Sequence, residues 1–163
     1  MTPPRYEIPR CCRTCLTGLI ALILGSSVQA AGVTLIGNWF ETIGADDLIM
    51  GAGTDFRPTF ETGAAGATLG ITNTQGAPWT LWVRRDTSTL PAPVSVAVRR
   101  TSEGAGDGGI SGGADYLVVQ DYEQPLFQGV GDRSGIGLQL RLAGISTSQG
   151  TGVPGCTLVY RVQ

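Results

Sequence analysis

The chain has 163 residues, with eleven arginines, thirteen acids, no lysine and no histidine. Without histidine, Ser-His-Asp and Cys-His catalysis and imidazole-based metal sites are excluded; without lysine, so are Schiff-base and Ser-Lys mechanisms. A formal net charge of −2, with only 15% charged residues, argues against a nucleic-acid partner or an anionic membrane surface.

Arg5, Arg10 and Arg13 precede the apolar run Leu16 to Leu24, "LTGLIALIL", and "SSVQA" follows it. A basic start, a short apolar core and small residues at Val28 and Ala30 are the layout of a secretory signal peptide cleaved after Ala30. The run is shorter than the roughly 20 residues a membrane span needs, and no later segment is apolar enough to span. We therefore expect a leader over 1–30 and one exported domain over 31–163, destined for the periplasm, the cell surface or the medium. Cys11, Cys12 and Cys15 leave with the leader, and eight arginines then face twelve acids, a net charge of −4. Cys156 is the remaining cysteine, so no intramolecular disulfide can form; its phase with Leu158 and Tyr160 predicts a buried thiol.

The mature chain shows no helical period, and alternating runs are separated by turn residues, the pattern of an all-β domain. Val33 to Phe40, "VTLIGNWF", is the first expected strand. Ala67 to Thr72 follows, then Trp79 to Arg85, with Trp79, Leu81 and Val83 inward and Trp82 outward. Val94 to Arg100 places Val94, Val96 and Val98 inward. Tyr116 to Gln120 is short and apolar, and Leu126 with Phe127 suggests an edge piece. Ile136 to Leu142 alternates most cleanly, with Gln139 on the polar face. Cys156 to Val162, "CTLVYRV", closes the chain, and the long Ile136–Leu142 strand is its expected neighbour. Seven strands, each with one apolar face, predict an immunoglobulin-like antiparallel β-sandwich; a jelly roll or small barrel is the alternative.

The candidate chemistry is sparse. "VRRDT" and "VRRTS" end two successive strands and place Arg84, Arg85, Arg99 and Arg100 at strand ends. They form either a salt-bridged rim with Asp86, Glu103 or Asp107, or a site for a carboxylate or sulfate. The acids Asp46, Asp47, Asp55 and Glu61, and Asp115, Asp121 and Glu123, are read as solvated loops rather than as a catalytic pair. "EGAGDGGISGG" is similar to calcium-binding glycine–aspartate repeats, but it occurs once and lacks the repeating aspartate. Trp79 is expected in the core; Trp82, on the opposite face, is the candidate for an exposed, sugar-stacking ring. No catalytic residue, metal or cofactor is expected.

The segment "GVTLIGNW", directly after the expected cleavage site, and the closing "CTLVYRV" resemble the bacterial pilin-type subunits of the chaperone–usher and spore-coat-U groups. Val33, Leu35, Gly37 and Trp39 share one face, with a glycine in the row. The resemblance implies that this segment is a donor strand that completes a neighbour's sandwich by β-augmentation. Those subunits usually carry an intramolecular disulfide, which this mature chain cannot form. The runs "VRRTSEGAGDGGISGGADY" and "FQGVGDRSGIGLQLRLAG" are also similar to a group of uncharacterised exported bacterial proteins, which implies no activity. The expectation is a non-enzymatic exported structural or surface protein, a fimbria-like subunit that self-associates or joins a neighbouring subunit by strand addition. The alternative is a monomeric carbohydrate- or ligand-binding sandwich. Its interaction residues are Trp82, Arg84 and Arg99, together with the face of Val33, Leu35, Gly37 and Trp39.

Overall fold

A computed structural model describes residues 30–163; apart from Ala30, the leader expected over 1–30 lies outside the described residues. Eleven strands form: β1 (Gly32–Ile36), β2 (Thr59–Glu61), β3 (Ala67–Thr72), β4 (Pro78–Ser88), β5 (Ser95–Arg100), β6 (Ala105–Gly106), β7 (Ile110–Ser111), β8 (Leu117–Val118), β9 (Gln124–Val130), β10 (Arg133–Ala143) and β11 (Cys156–Val162). Two single 3-10 turns, Ala45–Asp47 and Thr147–Gln149, are the helical elements among the described residues. No helix there is long and apolar enough to cross a membrane.

All pairings are antiparallel and fall into two sheets. The first has the order β1-β3-β10-β5-β8, with β2 and β6 also on β10; the second has the order β11-β4-β9-β7. Neither closes into a barrel, and the architecture is the expected β-sandwich. Each of the seven expected strands is present. The Leu126–Phe127 piece belongs to β9, which lies between β4 and β7 inside the second sheet rather than at an edge. β2, β6 and β7 are two or three residues long, too short for a period of two to show in sequence.

The alternation explains the core. Leu69 and Ile71 of β3, Val98 of β5, and Ile136 and Leu138 of β10 come from one sheet; Trp79, Leu81 and Val83 of β4 and Phe127 of β9 come from the other. Burying such side chains stabilises the fold by about 1.5–3 kcal/mol each. Trp79 is in the core, as expected: its ring stands edge-on to Phe127 at 6.2 Å, and its indole N–H donates to the Gly131 carbonyl at 2.8 Å.

β10 organises the first sheet. Its first half pairs with β3 and its second half with β2 along one edge, while β6 and β5 occupy the other edge. A register shift between Arg133 and Ile136 accommodates the change, as a bulge does. The turn before β10 is pinned by Asp132, whose carboxylate accepts from the Thr74 hydroxyl at 2.6 Å and from the Thr74 and Asn73 amides. These bonds favour the ionised form and hold its pKa below the ordinary value, the Thr74 hydroxyl contributing most.

Three expectations are corrected. The closing strand does not pair with the Ile136–Leu142 strand. β11 lies along β4, from Cys156 opposite Ser88 to Val162 opposite Leu81, at the edge of the other sheet. Its side chains Leu158, Tyr160 and Val162 are only half-buried there, and so is Cys156, which was expected to be buried. Gln139, expected on a solvated face, is 9% exposed, because the outer face of the first sheet carries its own cover.

Candidate functional site

That cover is a polar network. Gln139 accepts from Arg99 Nε and Nη2 at 3.0 and 2.8 Å and donates to the Thr62 carbonyl at 2.7 Å. One residue pair along, Arg141 donates to Glu61 at 2.7 Å; the arginine lowers the Glu61 pKa. Tyr116 lies over both arginines, with the Arg141 and Arg99 guanidinium carbons 3.6 and 4.7 Å from its ring centre. Its hydroxyl is enclosed without a hydrogen-bond partner. Burial, and then the nearby Glu61 carboxylate, push its pKa up. Arg99 is therefore committed to its own sheet by a cation–π contact and a bidentate amide contact.

The four arginines of the repeated "VRR" do not form one cluster. Arg84 and Arg85 lie within β4 of the second sheet, which runs on to Ser88 rather than ending at Arg85, while Arg99 and Arg100 end β5 in the first. Two of the expected rim pairs do form: Arg84 with Asp86 at 2.6 Å and Arg100 with Glu103 at 4.0 Å. Arg100 also donates to the Gly112 carbonyl at 3.0 Å. Some of the acids are also tied down. Asp47 pairs with Arg57 at 2.7 Å, and Asp55 accepts the amides of Thr147 and Phe56 at 2.8 and 2.9 Å. Among the described residues no three His, Cys, Asp or Glu side chains come together to hold a metal ion.

The glycine–aspartate loop proves to hold a cation of the protein's own. Arg133, 7% exposed, sends its guanidinium to the backbone carbonyls of Gly108 and Glu103, and its Nε has no partner. None of the ion pairs among the described residues involves Arg133. Carbonyl oxygens that the sequence likeness would offer to calcium thus face a fixed positive charge, which disfavours a metal there.

The first segment behaves as two parts. Gly32 to Ile36 forms β1 and pairs with β3, from Gly32 opposite Thr72 to Ile36 opposite Thr68. Val33 packs against the core, but Leu35 is 43% and Ile36 74% exposed. Alternation stops at Gly37, whose φ of +130° is open to glycine and whose added Cβ would lie 2.8 Å from the Ala67 Cα. Trp39 is therefore not in the Val33–Leu35 row; its indole donates to Glu41 at 3.0 Å. β1 of the first sheet also touches β11 of the second.

Trp82 points outward from β4 between Arg161 of β11 and Pro125 of β9. It is half-buried rather than exposed, and its indole N–H has no partner. Beside it, Arg161 pairs with Glu123 at 2.5 Å. Further along the same face, the second sheet bears a cleft of about 530 Å³ that reaches Gln163. No residue signal marked this cleft, because it forms from four strands that are distant in sequence. Comparison with protein-family models, curated proteins and solved structures finds no match.

Proposed function

We propose that the protein is a non-enzymatic, exported structural subunit that associates with neighbouring copies by strand addition through β1. The observation that carries this reading is the apolar surface of β1. Leu35 and Ile36 are exposed on a strand that pairs along one edge, with β3. An exposed apolar edge strand is a template for pairing with another chain, and burying these side chains in a neighbour would gain free energy that the single chain forgoes. The basic, apolar and small-residue layout over 1–30 supports export.

Deleting Ala31 to Phe40 and adding the peptide "AGVTLIGNWFETI" in trans tests the proposal. The vacated β3 edge should take up the peptide and the melting temperature should rise with dose; a ligand at 100 times its Kd stabilises by about 2.7 kcal/mol. A deleted chain that stays folded and monomeric and does not respond to the peptide overturns the proposal.

A further inference from the structure

We propose that the outer face of the second sheet binds a neutral oligosaccharide in the cleft where Ser111 of β7, Gln128 of β9, Thr80 of β4 and Gln163, the residue after β11, line up. The pairing registers build this row. Ser111 lies opposite Gln128, and Gln128 lies opposite Thr80. Thr80 exchanges both backbone hydrogen bonds with Gln163, at 2.7 and 3.1 Å. Pro78 and Val130, paired one row over, form the apolar wall of the cleft.

The chemistry of this row selects the ligand class. Each hydroxyl and amide side chain both donates and accepts, as sugar hydroxyls do. No arginine, aspartate or glutamate side chain lines the cleft. The charged neighbours on this face, Arg161 and Glu123, pair with each other, and the Arg161 guanidinium also donates to the side-chain carbonyl of Gln163 at the margin of the cleft. A phosphate or carboxylate ligand would find only an arginine already committed to Glu123 and Gln163, and a wholly apolar ligand would strip four polar side chains of water without replacing their hydrogen bonds. A peptide strand is also disfavoured, since β4 and β9 are paired along both edges and the edge strand that lines the cleft, β7, is only two residues long, which leaves little backbone for augmentation. A mostly apolar hollow with a few convergent polar groups is the usual form of a small-ligand site.

The floor is rigid. A Cβ at Gly129 would lie 2.5 Å from Trp79 Cζ2, so the bare backbone of β9 rests on the buried indole. Ordered strands hold the row before any ligand arrives, which reduces the cost of ordering it. Trp82, the next outward residue of β4 after Thr80, lies outside the cleft lining, beside the row between Pro125 and Arg161, and has a buried N–H with no partner.

The test titrates the full-length protein with cellohexaose, xylohexaose, maltohexaose and chitohexaose, with hexagalacturonate as the charged control, and reads tryptophan emission and heat. At least one neutral hexasaccharide should bind saturably and hexagalacturonate should not. Gln128→Ala, at an exposed position, should weaken binding by about 10-fold, equivalent to about 1.4 kcal/mol, with an unchanged melting temperature. An Ile36→Ser variant should bind sugar as the parent does, so that failure here and failure of strand addition are separable. The proposal is overturned if no neutral hexasaccharide binds, if only the charged control binds, or if Gln128→Ala leaves affinity unchanged.

Discussion

Strand β10 is paired along both edges and covered on both faces, whereas β1 pairs along one edge and leaves Leu35 and Ile36 in solvent. Both carry alternating apolar residues, so the difference lies in their surroundings. On its inner face β10 presents Ile136 and Leu138, each 0% exposed; on its outer face Gln139 is shut in beneath Arg99 and the Tyr116 network. β1 has no such roof. A strand of this kind is cheap to detach, because little buried area and one ladder of hydrogen bonds are lost. The comparison teaches that a strand's role, as scaffold or as contact, follows from how many neighbours it has rather than from its own pattern.

The largest effect should come from the centre. Leu138→Asp places a carboxylate where no partner exists. The desolvation cost of several kcal/mol is comparable with a total stability of about 5–15 kcal/mol. Circular dichroism and thermal melts should show no cooperatively folded protein. A folded, cooperative variant would show that β10 is not the central strand described here.

Gln139→Leu probes the other face of the same strand. It leaves the Arg99 guanidinium and the Thr62 carbonyl without their amide partners, which should cost about 1–3 kcal/mol in urea denaturation. A neutral result would mean that the outer face is open to water, as simple alternation predicts. Ile36→Ser should have the smallest effect on the single chain, within about 0.5 kcal/mol, because the side chain is already in solvent. It should nevertheless weaken concentration-dependent association in sedimentation velocity. Equal loss of stability at Ile36 and Leu138 would erase the contrast between the two strands.

The alternating segments marked most of the fold because alternation is local: a period of two fixes which residues share a face whatever the partner strand is. The inward rows Leu69–Ile71, Trp79–Leu81–Val83 and Ile136–Leu138 were legible for that reason. Gly37 was also legible as a glycine in the first row, but its positive φ, which ends that row before Trp39, was not, since sequence does not state which torsion a glycine adopts. The candidate site was barely legible. Ser111, Thr80, Gln128 and Gln163 look like ordinary outward polar residues, and only Trp82 drew notice.

The sequence by itself determined the longer alternating strands, their inward faces and the absence of histidine and lysine chemistry, all of which depend on residue identity and short-range geometry. Tertiary structure alone decided that β11 lies along β4 and not β10, and that β4 and β5, with their matching "VRR" runs, belong to different sheets. It also decided that Tyr116 stacks on Arg99 and Arg141, and that Arg133 donates to carbonyls of the glycine–aspartate loop. Every strand edge offers the same N–H and C=O groups, so pairing is chosen by which arrangement buries all the inward rows at once, a property of the whole chain and of no single segment.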